Sequence, residues 1–83
     1  MDTAIEFNPA AFKHGVTEDD IRWAVHTKVY DAPMDDDANK CLIIGFNLAG
    51  NPLEVMYNPM YDGSINVFHA MRCRARVITE LGL

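Results

Sequence analysis

The hydrophobic pattern of this chain changes from a helical to a strand period near its middle, and that change limits the possible folds more than any other feature. Across residues 17–29 apolar side chains recur at helical spacing: Ile21, Ala24, Val25 and Val29 form one stripe, with Arg22 and His26 nearer solvent. From Lys40 onward the pattern is that of strands. "KCLIIGFN" is a β-prone run, "PLEVMYN" alternates and "INVFHAM" is a third strand, with "LAGN" and "PMYDGS" as the turns between them. In the middle strand Leu53, Val55 and Tyr57 share one face and Glu54, Met56 and Asn58 the other, which predicts a sheet covered mainly on one side. Helices first and an antiparallel meander second make an α+β domain.

Local signals set the remaining boundaries. "AIEF" is a short N-terminal strand. Asn8 caps a short helix with Pro9 at its first position, and Gly15 stops it after "AAFKH". Thr17 caps the second helix, whose first turn, Glu18-Asp19-Asp20, is acidic as the helix dipole favours; it ends near Lys28. "YDAPMDDDANK", residues 30–40, holds a proline and an acidic triplet without periodicity and reads as a loop. "RCRARVITEL" returns to helix formers, with Ala70, Cys73, Val77 and Leu81 as its apolar stripe. The expected architecture is an N-terminal short strand and two helices, a three- to four-stranded antiparallel sheet, and a short C-terminal helix, all in one domain spanning 1–83.

Composition narrows the class. No apolar run approaches the roughly 20 residues of a membrane-spanning helix. The N-terminus has an acid at position 2 and lacks the basic start and apolar core of a leader, so a cytoplasmic location without membrane contact is expected. Cys41 and Cys73 form neither a disulfide framework nor a C-x-x-C pair and are expected as reduced thiols. The formal charge is -5, unevenly placed: residues 1–40 carry nine acids and four bases, residues 41–83 three of each. Those last three bases are Arg72, Arg74 and Arg76. The overall field repels phosphate, so contact with RNA has to be local, which counts against a general RNA binder.

The arginines follow His69 directly. If 72–76 continue the strand, the three arginines share one face and His69 points away from them. If they are helical, Arg72 and Arg76 stack one turn apart with His69 three residues before Arg72, and Arg74 lies on the far side. The helical arrangement makes a phosphate site, and helix propensity favours it. Metal-free RNA cleavage by the 2'-hydroxyl needs a base, an acid and cations against the phosphoryl oxygens, and His69, Arg72, Arg76, Lys13 and His14 supply those types. Each has a structural reading as well. His69 fits a strand histidine paired with a carbonyl, His14 a helix C-terminal residue on the dipole, Lys13 a solvated lysine, and the arginines surface partners of acids such as Glu18 or Asp35–Asp37 or of an acidic segment of a partner. Other chemistries find no support. Asp35–Asp37 lack the spacing of a calcium loop, Cys41, Cys73, His14 and His69 lack paired zinc-ligand spacing, Ser64 sits in a turn, and no phosphate-cradling glycine loop is present. No cofactor or metal is called for. Trp23 and Tyr30, seven apart on the second helix, read as core or partner surface.

Over nearly its whole length the chain resembles a known family. "FNPAAFKHGVTEDDI", an acidic loop, a strand containing "IIGFN", a strand ending "EVMYN" and the closing "INVFHAMRCRAR" look like the BrnT-like toxins of bacterial toxin-antitoxin modules. The Lys13-His14-Gly15 turn before an acidic-capped helix, combined with the closing strand and basic tail, is the most specific part. The resemblance implies a RelE-like fold, metal-independent ribonuclease activity that arrests translation and growth, and a cognate antitoxin protein as partner, with DNA engaged only through that antitoxin. Carried onto this chain, His69 is the base or acid, Arg72, Arg76 and Lys13 hold the phosphate, and Arg74 and His14 contact RNA. In the family the closing strand ends Ser-Ala-Arg, whereas here His69-Ala70-Met71 stands in that place. Arg72 therefore replaces the missing arginine only if the backbone turns there. The alternative is a non-catalytic binding module on the same scaffold that only engages an antitoxin-like partner.

Overall fold

The computed structural model describes residues 4–83; Asp2, which entered the leader argument, lies outside them. The elements run β1 (Ile5–Phe7), a 3-10 turn (Pro9–Phe12), α1 (Glu18–His26), β2 (Tyr30–Met34), β3 (Asp37–Phe46), β4 (Pro52–Pro59), β5 (Ile65–Arg72) and α2 (Ala75–Leu81). The strands form one sheet in the order β1-β5-β4-β3-β2, and α1 packs on one face of it. The α+β class is as expected. The sheet has five strands and is mixed, because β1 lies parallel to β5 while every other pair is antiparallel.

Capping sets the helix ends. Asn8 Oδ1 accepts from the Ala10 N–H at 2.9 Å to start the 3-10 turn, and Thr17 Oγ1 accepts from the Asp20 N–H at 3.2 Å to start α1. α1 ends at His26, two residues before the expected boundary. There the Thr27 hydroxyl donates to the Trp23 carbonyl at 2.8 Å and accepts from the Phe46 N–H at 3.0 Å, which ties the helix end to β3. Ile21, Ala24 and Val25 are buried as the stripe predicts, but Val29 lies past the helix and is exposed. They meet Cys41, Ile43, Leu53, Val55, Tyr57 and Val67 from the sheet, and Ala11 closes the same core from the 3-10 turn. Helix and sheet approach most closely at Gly45, where a Cβ would lie 2.9 Å from Ala24 Cα and nearer still to the Ala24 carbonyl.

Two expectations are corrected. Residues 30–40 are not a loop but the hairpin of β2 with the start of β3, turning at Asp35-Asp36, with Asp35 at φ 52°. Aspartate tolerates the left-handed region, and Pro33 sits on the outer strand, where a missing N–H breaks no interior ladder. Tyr30 consequently belongs to β2, not to a helix. The C-terminal stripe also divides: Ala70 is a buried strand residue, and α2 contains no buried residue at all, with Val77, Ile78 and Leu81 only half-covered. No helix among the described residues is long and apolar enough to cross a membrane.

Candidate functional site

An irregularity in β5 decides where His69 points. The β4–β5 register runs Met56 to His69 and then Tyr57 to Val67, leaving Phe68 as an extra residue on β5. One inserted residue reverses the side-chain alternation beyond it. Ile65 and Val67 face the core, but the next core residue is Ala70, not His69. His69 is thereby moved to the face of its neighbour Met56, which is also the face of Glu54, paired in register with Met71.

Glu54 is the unexpected member of the site. The alternating pattern placed it on the uncovered face, yet only 1% of it is exposed. Burying a carboxylate is costly unless it is paired, and Arg74 supplies the pair. The Arg74 Nε donates to Glu54 Oε2 at 3.2 Å and Nη2 donates to Oε1 at 3.1 Å, while the Arg74 backbone N–H also points at Oε2, at 3.4 Å. His69 Nε2 lies 3.5 Å from the same Oε1, within ion-pair distance but without hydrogen-bond geometry. It is the one buried side-chain nitrogen or oxygen among the described residues that has no hydrogen-bond partner. His14 comes from the loop after the 3-10 turn and meets His69 edge to face, ring centroids 5.3 Å apart and planes at 72°. β1 pairs only with Ile65–Val67, and beyond it the 3-10 turn and the loop carrying His14 lie against β5.

Neither arrangement foreseen for the arginines occurs in full. β5 continues through Arg72, so the backbone does not turn there, and Arg72 stays an exposed strand residue opposite Leu53 in register. α2 begins only at Ala75, with Arg74 as the residue before its first turn. Arg72 and Arg76 therefore do not stack on one helix face. Arg76 is exposed and bonds Glu80 one turn on, at 2.9 Å, a surface pair of the kind worth little. Arg74, expected on the far side, is the arginine that reaches the histidine's neighbourhood. Lys13 is exposed beside His14 and forms no ion pair among the described residues. Cys73, just before Arg74, has its thiol pushed above the ordinary range by burial first and by the Glu54 charge second, with Arg74 opposing.

A concavity of about 260 Å³ lies away from this cluster, on the α1 side of the sheet between Lys28, Asp31, Tyr57, Met60, Ser64 and Ile65. Its polar groups satisfy one another. Tyr57 donates to Asp31 at 2.7 Å, Lys28 reaches the other Asp31 oxygen at 2.8 Å, and the Ser64 hydroxyl is bonded to Asp62. The cluster of His14, Glu54, His69 and Arg74 thus differs from it in holding an unsatisfied nitrogen.

Chemically the cluster is a pair of imidazoles, one of them backed by a buried carboxylate, with a guanidinium alongside. Imidazole exchanges protons at working pH, so the pair is suited to giving and taking protons on one small substrate. Compared with protein-family models, with curated proteins and with solved structures, the chain matches none of them.

Proposed function

We propose that this protein is a small metal-independent endoribonuclease of RelE-like fold, the toxin of a toxin-antitoxin module, acting at the His14–His69 pair. The observation that carries the reading is the edge-to-face contact of the two rings at 5.3 Å, with His69 set against buried Glu54. Strand-terminal chemistry beside a basic segment, and the sequence resemblance already described, support the same reading.

In the reaction one imidazole removes the proton from the 2'-hydroxyl of RNA. O2' bonds to phosphorus, the bond from phosphorus to O5' breaks, and the other imidazole gives a proton to the departing O5'. A 2',3'-cyclic phosphate and a free 5'-hydroxyl result. Because Nε2 of His69 is turned to Glu54, Nδ1 is its nitrogen for proton transfer. Arg74 lies beside the pair to meet the phosphoryl oxygens, and Lys13 extends the basic rim; Arg72 and Arg76 take a peripheral part in holding RNA. Growth arrest follows from the cleavage of translated RNA, and a cognate antitoxin protein with an acidic segment covers the site.

The test is cleavage of end-labelled RNA by the purified chain in chelator, beside His69→Ala and His14→Ala. Loss of cleavage by at least about a hundredfold in each variant, with folding intact, is the expected result for general acid and base residues. A folded wild-type chain that leaves RNA uncut sinks the reading in favour of a non-catalytic module that only engages an antitoxin-like partner.

A further inference from the structure

The Glu54–Arg74 pair is one-sided. Its carboxylate is 1% exposed, whereas 59% of the Arg74 side chain is open to solvent. Only Nε and one N–H of Nη2 are engaged with Glu54, so the remaining guanidinium donors face outward. Next to the pair, His69 Nε2 sits 3.5 Å from Oε1 and bonds to nothing. A second nitrogen is therefore already in place beside Glu54, one short movement from a hydrogen bond.

We infer that Arg74 is a displaceable counter-ion: a phosphate group that engages its guanidinium draws it off Glu54, and protonated His69 replaces it there. The exchange leaves no group worse paired. Arg74 trades a carboxylate for a phosphate, which its planar fork binds equally well. Glu54 keeps a positive partner, and the orphaned nitrogen gains an acceptor. The charged and titratable groups around His69 are Glu54 and Arg74, with His14 on its ring and Cys73 beside the carboxylate. His69 is the imidazole whose nitrogen lies at Glu54, so its replacement of Arg74 there as a protonated ring takes up a proton. The site in this way couples arrival of a substrate phosphate to the orientation of the imidazole that handles it. The inference rests on the site proposed above but not on its cleaving RNA.

Two readouts test it on the intact chain. Calorimetric titration with inorganic phosphate, and separately with an uncleavable 2'-deoxy dinucleotide, is run at pH 7.5 in buffers of different ionisation enthalpy. Uptake of between about half a proton and one proton per bound dinucleotide is expected, and the same for inorganic phosphate once the protons exchanged by phosphate itself, which titrates near this pH, are subtracted. In the proton NMR spectrum a downfield Nε2–H signal of His69 should appear as phosphate is added, since a proton hydrogen-bonded to a buried carboxylate exchanges slowly with water. Arg74→Gln should show that signal before any phosphate and respond no further. A response to the dinucleotide alone assigns the ligand as a nucleic-acid backbone, and a response to both assigns the phosphate group in general. Binding without proton uptake, or no binding of either probe at tens of millimolar, overturns the inference. A phosphate response in a chain that never cuts RNA would uphold it while sinking the ribonuclease reading, and cleavage without the response would do the reverse.

Discussion

Gly45 of β3 lies directly against the backbone of Ala24 in α1, with no room between them for a methyl group. The helix is seated on the sheet by this contact and by the bonds of Thr27 at its C-terminal end. All three obstructing atoms of Ala24, its O, C and Cα, belong to the main chain, which cannot rotate away as a side chain can. Gly45→Ala should therefore destabilise the protein by about 3 kcal/mol, the upper part of the usual range for overpacking, measured by urea denaturation. A cost below about 1 kcal/mol would mean that α1 rides freely over β3.

Tyr57 carries a pH dependence. Its phenol is pushed well above its ordinary value of 10.0 by burial first and by the hydrogen bond to Asp31 second. The folded state thus holds this proton more tightly than the unfolded chain. Its contribution is fully present below pH 10 and is lost as pH rises through the higher folded value. Stability of the wild type should fall with pH above 10, while Tyr57→Phe should lose roughly 2 kcal/mol at neutral pH, as for a hydrogen bond to a charged group, and show a flatter alkaline limb. Chemical denaturation at pH 7, 10 and 11 distinguishes the two.

Removing Arg74 takes the two-pronged guanidinium contact from buried Glu54 and leaves His69 as the group beside it that can pair it. Arg74→Ala should cost roughly 3 kcal/mol, the low end for a broken buried pair because the exposed guanidinium lies where water can enter. Adding Glu54→Leu to that variant should restore at least half of the loss, since an apolar residue carries no such penalty. A double variant less stable than Arg74→Ala alone would show that Glu54 is held by more than its charge partners.

Cys73 reports on the same carboxylate without an assay for function. Its thiol is raised by burial and by Glu54, and lowered by Arg74. Alkylation by iodoacetamide at pH 8 follows the thiolate fraction. It should be several-fold faster in Glu54→Gln and several-fold slower in Arg74→Gln, with Cys41 buried and slow throughout. Equal rates in all three proteins would place the Cys73 sulfur beyond the reach of the pair.

How much of this could be read from the chain differs from element to element. The caps at Asn8 and Thr17 and the alternation of Leu53, Val55 and Tyr57 are local properties, and they appear where the residues place them. The hairpin at Asp35-Asp36 was hidden because acids and a proline suit a loop as well as an outer strand with a tight turn. His69 and the basic tail were visible as chemistry, but their geometry was not. The bulge at Phe68 leaves no mark in "INVFHAM", whose odd-numbered residues look like a regular inner face through His69. Glu54 passed as a solvent-side residue because the partner that makes its burial tolerable, Arg74, is distant in sequence. A lone acid within an apolar strand, in a half of the chain whose three bases are all arginines close to its end, is the one signal that pointed to it.

The parallel pairing of β1 with β5 joins the first element of the fold to the last strand. Ile5, Glu6 and Phe7 have no sheet to join until Ile65, Asn66 and Val67 exist. While the chain is being synthesised the meander of β2, β3 and β4 can form from near neighbours, but the edge on which His14 meets His69 waits for the far end of the polypeptide. A nascent chain of this protein thus carries His14 for most of translation without His69, and the two rings can meet only after the last strand has been made.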